Sequence, residues 1–191
     1  MERTNDRYMQ IQTLNWRAAL ALDRDDVNAA LKMLRDSERL TRESGGPFGS
    51  IVRRYLADAF SRQGRAADAR AAADAARAEA PEEDPQAQAT ALMAEGFAAA
   101  AEGEQDTARQ RFSQALPVID ELGNRMEAGE SRLMFARLLA RWGDTIAAAD
   151  QLERARESFA QVGATATVAE IDAWVDRLQT GADQAPESAT A

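Results

Sequence analysis

Four short polar turns recur along this chain at an almost constant interval, which restricts the fold more than anything else in the sequence. They are Arg24-Asp25-Asp26, Gln63-Gly64-Arg65, Glu102-Gly103-Glu104 and Trp142-Gly143-Asp144. With Asp25, Gly64, Gly103 and Gly143 taken as equivalent, the spacings are 39, 39 and 40 residues. Each turn follows one amphipathic run and precedes another, so the unit is a helix, a tight turn and an antiparallel helix. Fixed offsets from the turn test the register. Seven residues before it stand Ala18, Ala57, Gly96 and Ala136; five after it stand Ala30, Ala69, Ala108 and Ala148. Nine after it stand Leu34, Ala73, Phe112 and Leu152, and twelve after it Ser37, Ala76, Ala115 and Ala155. Small residues let two antiparallel helices approach closely, and the larger residue nine positions on is expected to fill the gap toward the next hairpin. Alanine is common throughout, so the constant interval and the repeated Gly turn carry the argument.

Composition agrees. Ala, Leu, Arg, Glu and Gln dominate, all strong helix formers, while Val and Ile are sparse. An all-α class follows. The net charge of −9 argues against a nucleic-acid binder, which needs a basic surface to displace counterions from phosphates. Cysteine and histidine are both absent, removing disulfides, thiolate sites, Cys nucleophiles and the commonest general base and metal ligand. No cofactor and no metal are expected. Lys32 is the single lysine beside 22 arginines, a bias that fits a GC-rich bacterial genome. The opening MERTNDRYMQ is no signal peptide, and no apolar run approaches the ~20 residues of a membrane span. A cytoplasmic location without membrane attachment is expected.

The small residue late in the first helix, followed by Ala, a large apolar residue and Ala in the second, resembles the tetratricopeptide repeat. The third copy carries it best, with Gly96, Gly103, Ala108, Phe112 and Ala115, and Pro81 stands where the family often ends its second helix. The ~40-residue period is similar to arrays in bacterial signalling proteins and maltose-regulator-like transcription activators, and residues 152–178 are similar to how such arrays end. The family's Trp early in the first helix is missing, with Leu14, Arg53, Leu92 and Arg132 at that offset. The resemblance implies a right-handed α-α superhelix of four hairpins plus a capping helix. In this map residues 1–7 are an N-terminal extension, hairpins span 8–43, 47–79, 86–122 and 125–161, and residues 180–191 are a disordered tail. The individual helices are predicted over 6–23, 25–43, 47–62, 65–79, 86–102, 104–122, 125–141 and 144–161. The capping helix, 164–179, carries Val168, Ile171, Trp174, Val175 and Leu178 on one face. Gly45 and Pro47 read as a helix cap and the opening of the next helix, with Asp84 a further N-cap candidate.

Chemistry is harder to find. The carboxylates alternate with arginines along helices, as on solvated faces. The loop Pro81-Glu82-Glu83-Asp84-Pro85 lacks the spaced ligands of a calcium loop, and Gly45-Gly46-Pro47-Phe48-Gly49-Ser50 lacks the Gly-Lys-Ser/Thr ending of a phosphate loop. A non-enzymatic protein-interaction module is therefore expected. In a superhelical stack the first helices line the concave face. Offsets −10, −9 and −6 bring Asn15, Trp16, Arg54, Tyr55, Asp58, Met93, Phe97, Leu133, Met134 and Arg137 toward it, and Arg62 and Arg141 extend it by one turn. Arg137 and Arg141 repel as like charges at i, i+4, so the expected occupant is an acidic peptide or protein segment. Arg54, Asp58 and Arg62 also read as a surface ladder along one helix. The chaperone-peptide clamp of the family does not map onto these positions. A sensor segment binding a small ligand or restraining an effector is the alternative, and a homo-oligomeric adaptor a third. The third rests on the first helix, where Tyr8, Met9, Ile11, Leu14, Trp16 and Leu20 exceed what one hairpin should bury. A second copy, another protein or further repeats upstream of this sequence are expected to contact that uncapped N-terminal hairpin.

Overall fold

The structure, a computed structural model, describes residues 2–44 and 48–180, with side chains from residue 7 onward. Among these residues there are nine helices and no strands: α1 (Glu2–Asp23), α2 (Val27–Ser44), α3 (Gly49–Arg62), α4 (Ala66–Ala78), α5 (Pro85–Ala101), α6 (Gln105–Glu121), α7 (Arg125–Arg141), α8 (Thr145–Gln161) and α9 (Thr165–Thr180). The chain is all-α and built of packed helical hairpins, as the turn spacing requires. The expected cap at Gly45 and Pro47, and the tail beyond Thr180, lie outside the described residues.

The turns are made alike. Asp25, Gly64, Gly103 and Gly143 all have positive φ, at 57°, 67°, 82° and 75°. Each sits at the αL position of a Schellman motif. Asp26 N–H donates to the Ala21 carbonyl at 2.8 Å, Arg65 to Phe60 at 3.0 Å, Glu104 to Ala99 at 2.8 Å and Asp144 to Leu139 at 3.1 Å. Helix starts are fixed as well. Asp26, Asp84, Asn124 and Asp144 accept backbone N–H bonds from Ala29, Ala87, Glu127 and Ala147, each such cap stabilising by about 1 kcal/mol. Three helix starts depart from expectation by two residues or more, α2 among them at Val27 instead of residue 25. α1 begins at Glu2 instead of residue 6, because polar residues in its first turns carry no apolar signal. α3 begins at Gly49 instead of residue 47.

Two compact units are present, one ending at Val118 and one beginning at Ile119. In the first, α1 packs on α2, α3 on α4, and α5 against both α3 and α4. Its core is alanine-rich, with Ile11, Leu34, Val52, Phe97 and Phe112 fully enclosed. Phe112 sets the α5–α6 approach. A Cβ on Gly96 would stand 2.8 Å from its ring, and Phe97 meets it edge-on with centroids 5.1 Å apart. Phe112, nine positions after its turn, thus packs back onto its own hairpin, while Leu152, at the same offset, shares its core with Ile171 of the following helix. In the second unit Gly129 plays the same part for Phe159, its absent Cβ lying 2.7 Å from that ring. Leu133, Ala136, Leu152, Ala155, Phe159 and Ile171 form one core there. Val168, Trp174, Val175 and Leu178 of α9 lie against it, so the face read as a cap closes this hairpin.

Candidate functional site

The twelve residues read as a concave face meet different fates. Asn15, Arg54, Tyr55, Asp58, Met93, Phe97, Leu133 and Met134 are buried, Arg62 and Arg137 are part-buried, and Trp16 and Arg141 are exposed. Several of the polar ones are engaged inside the fold. The Ser37 hydroxyl donates to Asn15 Oδ1 at 2.7 Å, tying α2 to α1. Arg62 grips Asp58 with two parallel bonds, Nε to Oδ1 at 2.9 Å and Nη2 to Oδ2 at 3.1 Å. Its Nη1 donates to the Leu22 carbonyl at 2.8 Å, at the C-terminal end of α1. Burial works against the Arg62 charge, but Asp58, and then Asp25 and Asp23, outweigh it and hold its pKa above the ordinary guanidinium value. The ladder expected on a surface is therefore a buried forked ion pair that locks α3 to α1. Arg54 is fully enclosed, its Nη1 3.8 Å from Met93 Sδ and its guanidinium 4.9 Å from the Tyr55 ring centroid. In the second unit Leu133 belongs to the α9-capped core, and the Arg137 guanidinium stands 6.0 Å from the Trp174 ring centroid.

α1 is different. It has a buried side, with Ile11, Asn15, Ala18 and Leu22, and a second stripe on the opposite side at residues 9, 13, 16 and 20. That 4-3-4 spacing keeps four residues in one row along a helix. Met9 is 53 % exposed, Trp16 59 % and Leu20 49 %, with Thr13 exposed between them. Tyr8, on the side of α1 toward α3, stacks edge-on against Phe48 at 4.4 Å and keeps its other side in solvent.

The repeat register gives this stripe its meaning. Its offsets from Asp25 are −16, −12, −9 and −5. The same offsets hold Phe48 just before α3 and Val52, Tyr55 and Ala59 within it, and Ala87, Ala91, Ala94 and Ala98 in α5, all buried. Each of those helices has a hairpin packed before it: α3 meets α1 and α2, and α5 meets α3 and α4. α1 therefore presents the face through which a hairpin receives its predecessor, with large apolar residues already on it. The surplus of apolar residues in the first helix was legible in the sequence; the register adds that Met9, Trp16 and Leu20 are the outward ones, while Ile11 is buried and Leu14 part-buried.

A cleft of about 320 Å³ in the first unit is lined by Glu38, Thr41, Arg42, Val52, Arg53 and Glu79, among others. Its arginines are paired. Arg53 bonds Glu38 and, at 3.1 Å, Glu79, and Arg42 lies 3.4 Å from Glu38. The described residues include no group of three or more His, Cys, Asp or Glu side chains placed to hold a metal ion, and no helix long and apolar enough to cross a membrane. Comparison with protein-family models, with curated proteins and with solved structures returns no match for this chain.

Proposed function

We propose that this chain is a non-enzymatic protein-interaction module of the tetratricopeptide type, and that the outward face of α1 is where its partner docks. One observation carries the reading: Met9, Trp16 and Leu20 stand exposed at repeat positions that are buried in the next two copies. Trp, Tyr and Met are the side chains that interfaces concentrate, since they give large contact area at low entropic cost. A contiguous apolar strip on an otherwise strongly charged chain is what an interaction surface looks like before it is covered. The acidic-peptide expectation rests on Arg137 and Arg141, of which Arg137 stands over the Trp174 ring. The other groove arginines give it no support: Arg62 is committed to Asp58, and Arg54 lies enclosed. A purely small-ligand role would fall to the cleft beside α2, whose arginines already hold carboxylates.

The test is photo-crosslinking in the native cell. Thr13, in the middle of the stripe, is replaced by a photoreactive phenylalanine analogue, with the same replacement at exposed Asp74 of α4 as the control. A discrete crosslinked product at position 13 and none at 74 is the expected result. No product at either position, or the same products at both, would overturn it.

A further inference from the structure

The geometry points to a second copy of this chain as the occupant of the α1 face, the two α1 helices packing antiparallel about a two-fold axis. The inference rests on the reading of α1 as a docking face and adds the identity of the partner. Three observations select it.

The first is the pattern of the stripe. Its midpoint falls between residues 14 and 15, so Met9 and Leu20 lie equally far from it, as do Thr13 and Trp16. A two-fold at that midpoint sets Met9 of one copy level with Leu20 of the other, and the bulky Trp16 level with the small Thr13. Large meets small at the centre and medium meets medium at both ends, the alternation that lets two helices approach to 8–10 Å. None of the four positions carries a charge, so no ion is buried unpaired.

The second is area. At roughly 200 Å² for a large side chain, the exposed fractions of Met9, Trp16 and Leu20 leave roughly 320 Å² of apolar surface on each copy. Homodimer interfaces are about 65 % apolar, so pairing would bury about 1,000 Å² in total, the low end for a specific interface. A face of this size suits a reversible dimer.

The third is what the other end of the repeat offers. Head-to-tail stacking would set α1 against the outside of α9, where exposed Asp176 and Arg177 stand beside Ala169 and Ala173, with Glu170 at the edge. An apolar stripe laid there would strip water from these charges. Against its own duplicate the four stripe positions bring no charge to desolvate.

The experiment is sedimentation of the full chain from about 1 to 200 μM, a span centred on the micromolar affinities such an area supports. The weight-average mass is expected to rise from one chain toward two and to stop there. The variant Trp16→Glu/Leu20→Glu, with helicity checked by circular dichroism, should associate roughly 100-fold more weakly or worse. Each copy carries a net charge of −9, so the copies repel at long range and added salt should tighten the dimer. A chain that stays monomeric throughout, a dimer unaffected by the double substitution, or masses that climb past two would each overturn the inference. The crosslinking at position 13 separates the two readings. A monomeric chain that still gives a position-specific product with a different protein sinks the dimer and leaves the docking face. A monomeric chain with no product sinks both.

Discussion

Asp58 and Arg62 show what a single ion pair does once it is enclosed. Asp58 is 1 % exposed, and Arg62 reaches past it to the Leu22 carbonyl and to Asp25 at 3.7 Å. Removing one partner of such a pair leaves the other charge buried without compensation, which costs far more than a surface pair is worth. Asp58→Ala is therefore expected to lower stability by about 3 kcal/mol, read as a shift in the urea midpoint at unchanged slope. Trp16→Ala, measured at concentrations low enough to keep the chain monomeric, should change stability by no more than about 0.5 kcal/mol, since nothing in the monomer closes over the ring. If both substitutions cost the same, the assignment of one as an internal lock and the other as an open face is wrong. The spacing of Arg54, Asp58 and Arg62 was readable from the sequence, but their enclosure was not. Periodicity reports which side of a helix is apolar. It does not report that a helix packed on both flanks also covers its polar residues.

At the level of the helix and the turn, far more was legible. The positive φ at Asp25, Gly64, Gly103 and Gly143 is a local requirement, and three of the four positions use the one residue that meets it without strain. Once those four are aligned, the small residues at fixed offsets fall into place, and Ala18, Ala57, Ala136, Ala30, Ala69, Ala108 and Ala148 are all completely buried. Less legible was the direction in which the large residue packs. Phe112 turns back to Gly96 because only a missing Cβ leaves room for its ring, a relation between helices that one helix alone cannot announce. Pro117 shows another limit. It lies within α6, where its absent N–H leaves the Ser113 carbonyl without its helical partner, yet the helix runs on to Glu121. The closing helix α9 holds its hairpin through Ile171, its one fully enclosed side chain among several half-covered ones. Ile171→Ala should cost about 2–4 kcal/mol, against under about 0.5 kcal/mol for Ala173→Ser on the exposed side of α9. Equal thermal midpoints for the two variants would remove α9 from the core.

For the chain as a whole, the missing residue types matter as much as those present. With no histidine and no cysteine in 191 residues, no side chain has an ordinary pKa between 5 and 8. The thermal midpoint should accordingly stay flat between about pH 6 and 8. It should fall in acid, where paired carboxylates must take up protons. Glu102 illustrates the sign. The hydrogen bonds from Arg70, one of 3.0 Å from Nε, lower its pKa below the usual carboxylate value. The stability it contributes is present above its unfolded pKa of about 4.3 and is lost as pH falls through the lower folded value. Melting curves from pH 3 to 8 check this, and a midpoint that moves by several degrees between 6 and 8 would contradict it.

The Schellman turns carry a last consequence, for the route by which the chain reaches this state. Each is closed by bonds between residues no more than five apart, and the helices it joins are neighbours in sequence. Within each unit the chain closes no long loop before its first contacts are rewarded, so little entropy is spent ahead of return. Folding on the microsecond to millisecond scale of other locally connected helical proteins is what such a topology permits.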